Sequence, residues 1–215
     1  MQEHRLTVER TARVYSEGDG DGAADVWMVI HGYGQLAAEF LAPFAAISGE
    51  HRLVLAPEAL NRFYKERTSG ATQTRQTVGA TWMTREDRDA EITDYVRYLD
   101  QVAAEFARGR RLTLVGFSQG VATAVRWAIA GRTELHRLVL WAGALPEDVE
   151  LASLSPLAAR GGVDFVLGSV DEYATWIDVE VQRQRLADAR LDVRFHTFDG
   201  GHRVDRDVLR QLAAT

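Results

Sequence analysis

The stretch Leu112-Thr113-Leu114-Val115-Gly116-Phe117-Ser118-Gln119-Gly120 decides how this chain folds. Leu112 to Val115 is a short, nearly continuous apolar run of the kind a buried strand requires. Val121 to Ala130 has helical spacing and stops at Gly131, a natural C-terminal cap. A serine on so sharp a strand-to-helix turn needs neighbours without a Cβ on both sides. The turn lifts the hydroxyl above the sheet edge and leaves backbone N–H groups at a helix N-terminus, where negative charge is favoured. The five-residue pattern alone arises by chance in about one chain in fifteen of this size, so its strand and helix context carries the inference.

The same alternation continues in both directions. Apolar runs occur at 26–30, 53–55, 138–141 and 163–167, and Val193 to Phe198 alternates like a strand with one exposed face. Helical spacing fills the gaps at Leu36 to Ile47, Arg85 to Arg108, Thr175 to Ala189 and Val204 to Ala213. Strands alternating with helices of this length specify right-handed parallel crossovers, hence an α/β fold with a doubly wound, mostly parallel sheet. Leu6 to Val14 alternates strictly and is expected as an antiparallel N-terminal edge strand, exposed enough to pair with a second copy in a homodimer. The longest segment without periodicity is Ala56 to Thr81. Gly18 to Gly22 reads as a plain turn, because the glutamate and flanking helices of an EF-hand are missing.

Composition narrows the function. The chain has 215 residues, 46% hydrophobic and 26% charged, which suits one domain over 1–215. With 31 acidic against 25 basic residues, its formal net charge of -6 argues against nucleic acid as a partner, though Arg and Asp are interspersed and leave room for a local basic groove. The absence of cysteine rules out disulfides, thiolate zinc ligands and thiol nucleophiles. No window approaches the roughly 20 apolar residues of a membrane span, and Met1 to Arg13 is no signal peptide, so a cytoplasmic location is expected.

A nucleophilic serine needs a base, an orienting acid and an oxyanion site. His202, in the Gly-rich loop Asp199-Gly200-Gly201-His202 after the last strand, is the candidate base, since histidine titrates nearest neutral pH. His31 precedes the nucleophile and reads as a loop support. Asp171 lies just past the strand at 163–167 and is the candidate acid, with Glu172 and Asp199 as competitors. The order serine, acid, histidine is the one α/β-hydrolases use. His31-Gly32-Tyr33-Gly34, at an early strand end, can aim an N–H at a developing oxyanion, so Tyr33 and Gln119 are the candidate donors.

Taken together, Val29 to Gly34, Gly116-Phe117-Ser118-Gln119-Gly120, Gly168-Ser169-Val170-Asp171 and Gly200-Gly201-His202 resemble the phospholipase/carboxylesterase group of α/β-hydrolases, which includes acyl-protein thioesterases. The likeness runs from about Val26 to the C-terminus. It implies hydrolysis of a small-molecule ester or thioester through an acyl-enzyme, without metal or cofactor. The same triad also suits a thioesterase or lysophospholipase, and fold alone leaves lyase, perhydrolase or pure binding chemistry open. Where the family shows Trp-Phe-Asp this chain has Trp82-Met83-Thr84, and no apolar lid segment is evident, so small to medium acyl chains are expected. About twenty residues separate the strands at 138–141 and 163–167, too few for a cap domain. Phe63, Tyr64, Trp82 and Met83 either line an acyl pocket or pack under their loop as a satellite core, and Leu145 is a further candidate for the pocket wall. Arg62, Lys65 and Arg67 either attract an acidic substrate or sit in a solvated loop.

Overall fold

The computed structural model describes residues 1–20, 22–65 and 77–215. In chain order its elements are β1 (Val14–Glu17), β2 (Asp25–Ile30), α1 (Ala37–Leu41), β3 (Arg52–Pro57), β4 (Asn61–Tyr64), β5 (Val78–Thr81), α2 (Arg88–Phe106), β6 (Arg111–Phe117), α3 (Gln119–Ala130), β7 (Arg137–Trp141), α4 (Ser155–Arg160), β8 (Val163–Gly168), α5 (Ala174–Ile177), α6 (Val179–Asp188), β9 (Val193–Phe198) and α7 (Arg206–Ala213).

Seven strands form one sheet in the order β1-β3-β2-β6-β7-β8-β9. All pairs are parallel except β1–β3. The apolar runs are continuous because both faces are covered. Val26, Met28 and Ile30 face a core shared with α2 and α3, whereas Trp27 and Val29 face one shared with α1 and α7. Chain order reverses between β2 and β6, and at such a switch point the loops leaving the strand C-termini part to open a crevice. Between β7 and β8 lie a 3₁₀ turn (Leu151–Leu154) and α4, and no cap domain.

Three expectations change in detail. The antiparallel edge exists, with Val14 opposite Pro57 and Glu17 opposite Val54, but it begins at Val14. Residues 1–13 form no strand, and Leu6 and Val8 are exposed, because their alternation has no face to bury against. The backbone available for edge pairing is therefore Val14–Glu17, not Leu6 to Val14. Leu36 to Ile47 divides into α1 and a 3₁₀ turn (Ala42–Ala46), since Pro43 cannot donate to the helical ladder. Thr175 to Ala189 breaks at Asp178, whose backbone is left-handed (φ 48°) and whose carboxylate accepts from Val181 N–H at 3.3 Å, restarting the helix as α6.

Within Ala56 to Thr81 the described residues form an antiparallel pair, β4 with β5, Asn61 opposite Thr81 and Tyr64 opposite Val78. Arg67 and Asp21 lie outside the described residues.

Candidate active site

Ser118 stands between the end of the central strand β6 and the start of α3, with φ 53° and ψ -119°. That backbone is strained for a residue with a side chain, and its surroundings hold it there. The Ser118 N–H donates to Trp141 O at 2.9 Å, and its carbonyl accepts from Val121 N–H at 3.0 Å. A Cβ on Gly116 would meet Gly120 O at 2.5 Å, and one on Gly120 would run into Ile30 O. Each glycine thus lets two backbones approach closely, which is why the pattern needs both. Gly143 does the same beneath the turn, against Ser118 O.

His202 follows β9 and Asp171 follows β8, so both loops rise from the same sheet edge as Ser118. The His202 Nδ1 lies 2.9 Å from Asp171 Oδ2 and 3.2 Å from Oδ1. A carboxylate only accepts, so Nδ1 is the donor of this bond, and in the neutral imidazole Nε2 keeps its lone pair. The Asp171 side chain is wholly buried, and its Oδ1 also accepts from Tyr173 N–H at 2.8 Å. The imidazole packs between Phe117, the neighbour of Ser118, and Tyr173, with ring centroids 4.8 and 4.6 Å away. Glu172 instead accepts from the His202 backbone N–H at 3.2 Å, and backbone hydrogen bonds hold its carboxyl below the usual range. Asp199 pairs with Ser169 Oγ at 3.4 Å. Of the three acids weighed from sequence, Asp171 is the one on the imidazole ring.

Tyr33 lies just past β2. Among the described residues, neither its N–H nor that of Gln119 has a protein acceptor. Gly32, just before Tyr33, lies so close to the serine that a Cβ on it would meet Ser118 Cβ at 3.0 Å. The Gln119 side chain has a separate job. Its Nε2 donates to Thr81 Oγ1 at 2.9 Å and Met83 O at 3.1 Å, and its Oε1 accepts from Trp82 N–H at 3.2 Å. It thereby ties the end of the β4–β5 hairpin to the start of α3. His31 is fully buried; Nε2 accepts from Ala59 N–H at 3.1 Å, so Nδ1 donates to Gly32 O at 2.8 Å. Burial pushes its pKa down, against the opposing pull of Gly32 O and Glu58, so it serves as a neutral brace for the Tyr33 loop.

The five residues considered for substrate contact separate into two groups. Trp82 is 2% exposed and donates from Nε1 to His31 O at 2.9 Å, and Leu145 is 3% exposed; both belong to the core on the α2–α3 side of the sheet. They are part of that main core and not pocket walls, and the Trp82 indole N–H already has its partner inside. Phe63 stacks on Tyr33 with centroids 5.1 Å apart, Tyr64 is exposed, and Met83 is half-buried beside Gln119. Sequence reading missed Tyr173 and Trp176, an exposed aromatic pair on the segment after Asp171; two aromatics close behind a candidate acid were the available signal. Among the described residues no group of three or more His, Asp or Glu side chains is arranged to hold a metal ion. No helix among them is long and apolar enough to cross a membrane.

A mostly parallel sheet with a strained serine at the end of its central strand, and acid and histidine loops beside it, defines the α/β-hydrolase fold. The particular likeness is narrower. Acyl-protein thioesterase 2 from Zea mays superposes with a TM-score of 0.69 at 15% identity, covering 95% of this chain and 97% of that one. A carboxylesterase from Mesorhizobium loti gives 0.68 at 16%, covering 98% of each. A phospholipase/carboxylesterase from Dyadobacter fermentans gives 0.64 at 15%, covering 98% and 99%. The chain therefore has the fold of the phospholipase/carboxylesterase group. No family model and no curated protein matches its sequence.

Proposed function

We propose that this chain, read as one domain over 1–215, is a serine hydrolase that cleaves carboxylic esters or thioesters of small to medium acyl groups. The observation that carries this is the strained Ser118, whose neighbour Phe117 packs on an imidazole that turns Nδ1 to Asp171, with the N–H groups of Tyr33 and Gln119 free of protein acceptors among the described residues. Ser118 Oγ attacks the acyl carbon while His202 Nε2 takes its proton, and Asp171 stabilises the imidazolium. The N–H groups of Tyr33 and Gln119 hold the oxyanion of the tetrahedral intermediate. Collapse expels the alcohol or thiol, protonated by His202, and water then releases the acid by the same steps in reverse.

The fold shared with carboxylesterases and a thioesterase supports the substrate class. The absence of a cap between β7 and β8 and the exposed aromatics Tyr33, Tyr64, Tyr173 and Trp176 support an open, apolar entrance. The test is labelling by a fluorophosphonate together with turnover of p-nitrophenyl esters and acyl thioesters of graded length. Ser118→Ala is expected to abolish labelling and reduce kcat by about 10⁶-fold without unfolding the chain. Equal turnover by the wild type and the purified variant would refute the assignment.

A further inference from the structure

At the other end of the sheet from Ser118, a cavity of about 460 Å³ opens between the end of α2, the start of β6 and the turn before β7. Its charged lining is Arg108, Arg110, Arg111, Arg160, Glu134 and His136. Four guanidiniums against one carboxylate make a local positive site on a chain whose formal net charge is -6. Two of the four are already engaged: Arg111 Nε lies 2.6 Å from Asp25 Oδ1, and Arg160 Nη2 lies 2.8 Å from Glu134 Oε1. Arg108 and Arg110 form no ion pair among the described residues, and Nη1 of Arg110 is shielded from solvent with no hydrogen-bond partner. Two of the four guanidiniums lining the cavity thus have no carboxylate of their own, and an anion in the cavity supplies one. His136 shows the same field from another side. Burial holds its pKa down, and Arg111, Arg160 and Arg137 lower it further against the opposing pull of Asp25.

We propose that this cavity binds a compact multivalent anion, a small molecule carrying phosphoryl groups or several carboxylates. Arginine forks match both groups in bidentate geometry, and the volume falls in the range of small-molecule sites, about 300–1,000 Å³. Glu134 selects for charge: a singly charged ion gains little against the resident carboxylate, whereas a multivalent one engages Arg108 and Arg110 together. β6 begins at Arg111 in the cavity and ends at Phe117 beside Ser118, roughly 20 Å away at about 3.3 Å per residue. The site is thus separate from the one assigned to ester cleavage.

Isothermal titration of the whole chain with pyrophosphate and with citrate, each against sodium chloride of matched ionic strength, tests this. The wild type is expected to bind at least one of the two with one-to-one stoichiometry. Pyrophosphate alone identifies a phosphoryl ligand, citrate alone a polycarboxylate. The double variant Arg108→Ala/Arg110→Ala is expected to bind at least about tenfold more weakly, with ester turnover unchanged. If the double variant does not unfold cooperatively, Arg108→Ala, at an exposed position, is expected to show the same direction of loss. No heat above the salt control, or equal affinity in wild type and variants, overturns the proposal.

Discussion

Among the described residues two aspartate–histidine pairs have nearly equal length but stand in different surroundings. His202 meets Asp171 at 2.9 Å beyond the C-terminal ends of β8 and β9. His196 meets Asp164 at 2.7 Å within the sheet itself, between β9 and β8. The first pair uses Nδ1 and leaves Nε2 without a protein partner among the described residues; the second consumes Nε2. Asp171 has an imidazole and a backbone N–H for company. Asp164, fully buried, also takes Arg137 Nε at 2.7 Å and Arg194 through Nε at 2.9 Å and Nη2 at 2.8 Å. Arg137 in turn donates to Leu212 O at 2.6 Å, anchoring α7. Distance alone thus does not separate the pair we propose for catalysis from the other. What distinguishes the two is which ring nitrogen is spent and whether the carboxylate charge is already balanced.

The sharpest way to break the comparison is to neutralise each aspartate. Asp171→Asn is expected to lower kcat by about 10⁴-fold with little loss of stability, because the imidazole is then held in the wrong tautomer. Asp164→Asn should leave the rate of the folded protein unchanged; ester kinetics on both variants decide. Next in size is stability itself. Asp164→Ala leaves two guanidiniums with their buried partner gone and is expected to cost about 3–5 kcal/mol in urea unfolding.

A pH series sharpens the same point. Burial pushes the Asp164 carboxyl upward, but hydrogen bonds from Arg194, Arg137 and His196 outweigh it and hold it below the usual range. With the folded value depressed, the stabilisation is complete above the unfolded value of about 3.9 and is lost as pH falls through the folded one. Urea midpoints measured on the acid side should therefore drop more steeply for wild type than for Asp164→Asn. The smallest effect is expected from His196→Gln, about 1 kcal/mol from one lost hydrogen bond and no change in turnover. His202→Gln should do the reverse.

What the sequence revealed and what it hid follow from the range of the forces involved. The strands at 26–30, 112–115 and 163–167 were legible because a sheet covered on both faces imposes continuous apolar runs, a local signature. Ser118 was legible because Gly116 and Gly120 record a steric demand within five residues. Gly143 records the same demand from a distant segment and carries no local mark. Leu6 to Val14 misled because alternation implies a strand only where one face has something to cover. Trp82 resembled a pocket wall because an indole reads alike in core and cleft. Its burial and the bond from its Nε1 to His31 O separate the two roles. The hydrogen bonds from Gln119 to Thr81 and Met83 join segments whose pairing no spacing encodes.

The seat of Gly120 against Ile30 O has a consequence in time. β2 and β6 pair from Asp25–Arg111 to Ile30–Gly116, with α1, β3, the β4–β5 hairpin and α2 between them in the chain. The left-handed turn at Ser118 therefore cannot form as an isolated fragment; it waits for one of the longest loop closures in the molecule, a slow event. On refolding, the helical signal of α2 and α3 should return ahead of whatever reactivity Ser118 possesses. A reagent directed at that serine would thus report the last stage of folding, after the helices have formed.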